Sequence, residues 1–243
     1  MLSVAERASS TSLIQRLEQV WRSAAKNGAA WPGEPVLAES LTASRPALRE
    51  ALIRLEERGY ITRRQGADTV VNRALLDVGG RIDEKVDIAD IIASTGREAN
   101  VDLLEFKWDV ADLDEAEEFG LVPEQEVLRT KKVWSADGLP VVVACDVIPV
   151  RAGAAPKRTV DARRPVFEIA SVLGNQPAEW EMVKLGIATL GDDAKIMQGV
   201  PDEPFLSFNV VGISRTADPA YWASERHRPG VLPYSMVRTL GRR

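Results

Sequence analysis

The sequence predicts an α+β chain of two domains, a small helical head closed by a β-hairpin and a larger body built on an antiparallel sheet. Three observations carry this. Apolar residues recur at helical spacing through the first quarter of the chain, two short β-branched runs follow, and beyond residue 100 strand-like runs alternate with tight turns. Few of the later connections are long enough for parallel crossovers, which makes the sheet mainly antiparallel with helices against one face. A length of 243 residues accommodates two such domains.

In the head, Leu13, Ile14, Leu17, Val20, Trp21 and Ala24 form one helical stripe, preceded by capping candidates Ser9, Ser10 and Ser12 and ended by Asn27-Gly28. Trp31-Pro32-Gly33-Glu34-Pro35 is a turn whose second proline suits the first turn of a short helix reaching Leu41. Ser44 is the expected N-cap of a third helix. Pro46 is tolerated there because first-turn amides lack helical partners, and Leu48, Ala51, Leu52 and Leu55 give it a buried stripe up to Gly59. Residues 60–63 and 69–72 read as strands joined by residues 64–68. Three helices and a hairpin make a winged helix-turn-helix layout. The expected boundaries are 1–73 for this domain, 74–85 for a linker of little periodicity around Asp77-Val78-Gly79-Gly80, and 86–243 for the body.

In the body, residues 100–110 are strand-like and 112–119 a short helix. Residues 127–134 and 140–148 form a hairpin across Asp137-Gly138, a pair that favours tight hairpin turns. A helix at 165–173, a strand at 179–190 and a helix at 192–198 follow. Strands at 205–215, 221–228 and 234–240 complete the pattern.

Composition narrows the chemistry. One Cys and no Cys-x-x-Cys pair exclude a disulfide framework and a thiolate zinc site, and the single His227 removes schemes needing two imidazoles or a three-His metal site. No metal and no cofactor are expected. The apolar runs are far shorter than the roughly 20 residues that span a bilayer, and the first residues lack the apolar core of a signal peptide. A cytoplasmic protein without membrane contact is the expectation. The net charge of −5 conceals an asymmetry: residues 1–73 hold 11 Lys/Arg against 8 Asp/Glu, and residues 74–243 hold 20 against 28. A basic head on an acidic body fits a head that meets a polyanion.

The second helix of a helix-turn-helix enters the major groove with its N-terminal residues at the base edges. Here those are Ser44, Arg45, Pro46 and Arg49. Arg45 and Arg49 stand four apart and share one face, opposite the leucine stripe. An Arg fork donates twice to guanine, and the Ser44 hydroxyl with the helix-end amides suits a phosphate oxygen. On the hairpin, Arg63, Arg64, Gln65, Gly66 and Thr69 are the candidates for flanking backbone or minor-groove contacts, Gly66 allowing close approach. The blander reading has the helix arginines solvating an exposed face and pairing with Glu50, Glu56 and Glu57. Their recurrence on the hairpin favours double-stranded DNA.

The run Ser44-Arg45-Pro46-Ala47-Leu48-Arg49-Glu50-Ala51-Leu52, continuing through Leu55-Glu56 and Gly59-Tyr60-Ile61, resembles the DNA-binding domain of GntR-family transcription regulators. The family usually has Arg at the position of Pro35 and a second wing Gly at that of Asp68, so the departures imply weakened or altered operator affinity. The body resembles the UTRA domain of the HutC subgroup through residues 119–131, Asp137-Gly138-Leu139-Pro140-Val141, Ile148-Pro149, Glu225-Arg226-His227-Arg228 and Tyr234. That resemblance implies a chorismate-lyase-like antiparallel sheet, a homodimer, and a small-molecule effector that releases a repressor from its operator. It also implies an effector pocket. Arg129 and Lys131 match an Arg-x-Arg strand motif and face one side together. Asp146 is expected in the same pocket, with Glu225, Arg228 and Tyr234, although the usual family Glu falls at Ala144. Sugar-phosphate sensors of the subgroup place Ser or Thr at the helix start near Val86. Here Asp83-Glu84-Lys85-Val86-Asp87, with Asp90, competes with an anion, so a neutral or amine-bearing effector is expected.

His227 is expected to be a partly buried structural residue, Cys145 a small core residue, and Trp108, Trp134, Trp180 and Trp222 core or interface residues. Two other readings stay open. One is a constitutive DNA-binding protein whose body only dimerises. The other is an enzyme of the chorismate-lyase-like fold, against which the lack of a His pair, a Ser-His set or a clustered acid pair counts.

Overall fold

A computed structural model describes residues 4–64, 66–84, 87–151, 160–174 and 177–238. The chain divides into two units, Met1–Lys85 with Tyr234–Arg243, and Val86–Pro233.

In the first unit, α1 (Val4–Asn27) begins well before the expected Leu13, so Ser9, Ser10 and Ser12 lie within the helix instead of capping it. The good helix formers Ala5, Glu6, Arg7 and Ala8 extend it. Helix α2 (Glu34–Ser40) carries Pro35 in its first turn. Helix α3 (Arg45–Glu57) has Ser44 as N-cap, its hydroxyl accepting from the Ala47 N–H at 3.4 Å. Gly59, at φ +80°, turns the chain out of α3 in a conformation that costs a side-chain-bearing residue more. Strands β1 (Ile61–Thr62) and β2 (Val70–Val71) pair antiparallel. Leu17, Trp21, Leu37, Leu48, Leu52, Leu55 and Ile61 form one core between them.

The expected linker is more ordered than its sequence implied. Arg73–Asp77 is a 3-10 helix that buries Leu75 in the head's core. Arg81, only 7% exposed, is held by Asp83 at 2.5 Å and Glu84 at 2.9 Å, and donates to the Arg58 carbonyl at 3.1 Å. The Tyr60 hydroxyl donates to Glu84 at 2.9 Å, and burial, then the Glu84 charge, pushes that phenol up to about 12. Charges that look like linker polarity thus satisfy one another within the unit. The expected strand at 234–240 is replaced, over residues 234–238, by a single parallel bridge from Ser235 to Arg81; residues 239–240 lie outside the described residues. The Ile82 N–H donates to the Ser235 carbonyl at 2.9 Å, and the Ser235 N–H to the Gly80 carbonyl at 3.1 Å.

The second unit runs α4 (Ile88–Ser94), β3 (Ala99–Val110), α5 (Leu113–Phe119), β4 (Glu126–Ala136), β5 (Leu139–Pro149), α6 (Val166–Gly174), β6 (Ala178–Thr189), β7 (Pro204–Ser214) and β8 (Pro219–His227). The strands make one antiparallel sheet in the order β3-β4-β5-β8-β7-β6. Asp137 and Gly138, both at positive φ, close the β4–β5 hairpin. The expected helix at 192–198 is a 3-10 turn, Gly191–Ala194, in a segment flanked by positive φ at Gly191 and Gln198.

Helical segments cover both faces of the sheet, not one. Ile169, Ala170 and Leu173 of α6 pack on Leu128, Ile148, Val210, Tyr221 and Ala223. On the opposite face, Phe119 of α5 stacks on Trp222 at 4.2 Å, and Leu190, Ala194, Met197 and Phe205 pack on Val133 and Val143. The reason is in β5. Val141, Val142, Val143 and Ala144 are at most 1% exposed, and a continuous apolar run needs cover on either side.

Candidate functional site

On α3 the leucine stripe faces inward, which turns Ser44, Arg45, Pro46, Ala47 and Arg49 to solvent. The Arg49 Nε lies 3.2 Å from Glu34, but these side chains are 69% and 44% exposed, so the pair holds the guanidinium only loosely. Glu50 is paired with Arg54 at 2.8 Å, which tempers a second carboxylate beside the arginines. On the hairpin, Arg63 is committed inward: Glu56 of α3 accepts its backbone N–H at 2.8 Å and its Nε at 3.2 Å. Arg64 and Gly66, the latter at φ +73°, are exposed at the tip beside Asp68. Thr69 is half-buried, and Gln65 lies outside the described residues.

In the second unit the ladder brings together some expected pocket residues and separates others. Arg129 and Lys131 do share the face covered by α5. Asp112 and Glu115 form a capping box at the start of α5, and Glu115 then accepts from Arg129 at 2.5 Å while Asp109 accepts from it at 3.2 Å. The Glu115 bond holds the Arg129 guanidinium above its ordinary range. Lys107, then the Val110 amide and Arg129, hold Asp109 down to about 2. Lys131 is paired with Asp193; burial pulls its ammonium down, but the carboxylate outweighs this and keeps it raised. Both cations of this motif are therefore matched by carboxylates of their own chain.

Asp146 lies on the other face, contrary to expectation. Counting back from the Asp137-Gly138 turn sets it opposite Arg129, but a bulge at Trp134/Ser135 takes in an extra residue of β5 and sets it opposite Thr130. One residue of register exchanges the faces. On the α6 face Asp146 accepts from the Thr130 hydroxyl at 2.6 Å and pairs with the Lys132 ammonium at 3.0 Å, with Lys132 and Asp146 side chains 1% and 2% exposed. Lys132 also donates to the Arg164 carbonyl at 3.1 Å and sits 5.5 Å from the Trp134 ring centroid. Glu225 shares this face through the β5–β8 register, 2.8 Å from His227, whose ring lies 4.3 Å from that of Phe208. His227 is almost wholly buried, at 2% exposed.

Arg228 is fastened elsewhere, to Glu203 at 3.3 Å and to the Pro140 and Met197 carbonyls, with Phe205 under its guanidinium. Tyr234 groups with the first unit and not with the sheet. Cys145 is exposed beside Lys131 instead of buried in a core, because position 145 falls on the ion-paired face; partial burial still pushes its thiol up, outweighing the nearby ammonium. Thr130 and Lys132, the partners of Asp146, are not singled out by the sequence pattern. The adjacent Lys131-Lys132 pair offers one cation to each face, and only the bulge decides which of them meets Asp146. Among the described residues no group of acidic, His or Cys side chains could hold a metal ion, and no helix is long and apolar enough to cross a membrane.

Residues 10–71 match the model of the bacterial regulatory proteins, gntR family, and residues 94–230 match that of the UTRA domain. PhnF from Mycobacterium smegmatis has a similar fold at 19% identity and TM-score 0.58, covering 94% of this chain and 100% of that one. A possible transcriptional regulator, YydK from Bacillus subtilis, is similar at 11% identity and TM-score 0.70, over 95% and 99%. The effector domain of the same PhnF is similar at 16% identity and TM-score 0.55, over 63% and 94%. No curated protein sequence matches the chain. With a winged helix-turn-helix that fits the first model and a six-stranded antiparallel sheet that fits the second over more than half its length, the chain belongs to the gntR family of bacterial regulatory proteins that carry a UTRA domain.

Proposed function

We propose that this chain is a homodimeric repressor of the HutC subgroup, working in the cytoplasm, that leaves its operator when a small molecule binds its UTRA domain. The observation that carries the reading is α3. Its N-cap and buried leucines fix a rigid helix whose exposed N-terminal face bears Arg45 and Arg49. In this reading those two read base edges, Ser44 and the helix-end amides meet a phosphate, and Arg64 with Gly66 at the wing tip meets the flanking backbone. Arg63 anchors the wing to α3 through Glu56. A dimer reads two half-sites, and a ligand preferring one arrangement of the heads needs a coupling of roughly 1–3 kcal/mol for a 5–150-fold response.

The effector site in this reading is the α6-face cluster of Thr130, Lys132, Asp146 and Glu225, with Trp134 and His227. Buried charges are expensive to retain in a core that apolar residues would stabilise as well, which favours a binding role for them. Lys132 is already matched by Asp146, and Glu225 adds a further carboxylate, so the cluster suits a neutral or amine-bearing molecule better than a phosphate. The start of α4 supports this, since the Asp87 carboxylate already accepts the Ala89 N–H at 2.9 Å. Asp83 and Glu84, expected at that helix start, are instead partners of Arg81. The test is Arg49→Ala. Operator affinity falls by at least tenfold with effector binding unchanged; unchanged operator affinity refutes α3 as the reading element. Strong thermal stabilisation by a sugar phosphate refutes the effector class.

A further inference from the structure

The chain from Tyr234 onward groups with the first unit although it follows the last strand of the second, so the polypeptide crosses between the units twice. The backbone bonds of Ser235 to Gly80 and Ile82 lay this segment along the linker. Val237 extends the grip. Its N–H donates to the Asp83 carboxylate at 3.4 Å, and its side chain packs against the head's core. A side-chain carbon placed on Gly59 would stand 3.4 Å from Val237, so the segment lies against the turn that ends α3. Arg81 reaches the same end of that helix. It donates to the Arg58 carbonyl at 3.1 Å, one of the last-turn carbonyls that lack a helical partner, and brings positive charge to the negative end of the helix dipole. Its guanidinium lies 5.2 Å from the Tyr60 ring centroid, and its partner Glu84 accepts the Tyr60 hydroxyl. Arg58 in turn pairs with Glu18 of α1 at 2.8 Å. At 7% exposed, Arg81 is too buried to meet DNA itself. An apolar residue there would stabilise a core as well, whereas the rigid fork of an Arg fixes several partners in one geometry.

We infer that Arg81 and residues 234–237 form the clasp that positions the reading helix: the chain end holds the linker, and the linker arginine caps α3. The clasp also gives the effector site a second covalent line to that helix. Glu225 and His227 lie on β8, and Arg228 is fastened within the second unit to the Pro140 carbonyl. Ser235, seven residues beyond Arg228, is fastened to the linker, and Pro229 and Pro233 restrict the backbone in between. A shift of β8 therefore passes to the end of α3 along a short, stiff segment as well as through the linker. This rests on the ligand-responsive dimer of the proposed function and names the part that carries its signal.

The experiment compares the full wild-type chain with Arg81→Met, Arg81→Lys, Ser235→Pro and an insertion of two glycines after Pro233. Hydrogen exchange reads the Arg58, Gly59 and Tyr60 amides, which close α3 by bonding to the Arg54, Glu56 and Leu55 carbonyls. Fluorescence anisotropy reads binding to a duplex from the native upstream region, cut to one half-site or left with two. Arg81→Met and Ser235→Pro speed that exchange at least tenfold and weaken half-site binding at least fivefold, while Arg81→Lys, which keeps the cation, restores most of both. Unchanged exchange, or faster exchange with unchanged half-site binding, overturns the clasp as a positioning device. Should Arg81→Met fail to fold, Ser235→Pro decides, since it leaves no charge unpaired. The insertion keeps the clasp and half-site binding but slackens the second line, so it weakens two-site binding at least fivefold; unchanged two-site binding overturns that line. A wild type that binds two half-sites no more tightly than one refutes the twofold reading, and the second line with it, while the exchange result still decides the clasp.

Discussion

Replacing Lys132 with Met leaves Asp146 buried with only the Thr130 hydroxyl for company. The pair is 3.0 Å apart with both side chains at most 2% exposed, so water does not screen the carboxylate that remains. Removing one partner of such a pair costs about 3–5 kcal/mol, whereas replacing both with apolar groups of similar volume is often neutral or stabilising. Lys132→Met is accordingly predicted to lower the melting transition of the second unit by roughly 6–20 °C, at about 2–4 °C per kcal/mol for a domain of this size. Lys132→Met with Asp146→Leu is predicted to recover most of the loss. Calorimetry on the four members of the cycle reads this directly. A single variant that loses less than about 1 kcal/mol, below the range for a broken buried pair, refutes the reasoning, as does a double variant no better than the single. Effector response should vanish in both variants, separating the stability role from the binding role.

Ser44→Ala removes a cap bond that is long and exposed, so the cost should sit near 0.5–1 kcal/mol by urea denaturation of the first unit; no measurable change would contradict Ser44 as the cap. Arg63→Ala should raise hydrogen exchange across β1 and β2 because Glu56 no longer pins the wing, and unchanged protection would show that the bond holds nothing. Asp109 has a folded value depressed from 3.8 to about 2, so its stabilising contribution is complete above its unfolded value and is lost as pH falls through that window. Asp109→Asn should therefore flatten the acid limb of melting temperature against pH between about 4 and 2, and an unchanged limb would contradict the pairing with Lys107 and Arg129.

The head was legible because its signals are local. Ser44 and Pro46 mark the start of α3, Gly59 its end, and the leucine spacing its buried face, each acting within a turn or two of chain. The Arg81, Asp83 and Glu84 network was not legible, since nothing nearby in sequence says that residue 81 will meet Arg58 and Ser235. In the body, the hairpin and the antiparallel sheet followed from Asp137-Gly138 and the strand spacing. The face that Asp146 occupies did not, because it hangs on one bulged residue: alternation assigns Arg129 and Lys131 to a shared side, but says nothing of where β5 slips past β4. Both-face burial was foreshadowed by Val141, Val142, Val143 and Ala144, a run with no polar alternate.

The central claim is that α3 delivers Arg45 and Arg49 to a DNA groove. Fluorescence anisotropy of the purified chain on a duplex from its native upstream region, across a salt series, tests it most directly. The expected result is specific binding that weakens steeply with salt as phosphate contacts release counterions, with Arg45→Ala and Arg49→Ala each losing about 1–3 kcal/mol of discrimination over random duplex. A chain that ignores that duplex at low ionic strength, or variants that bind it as well as wild type, would contradict it.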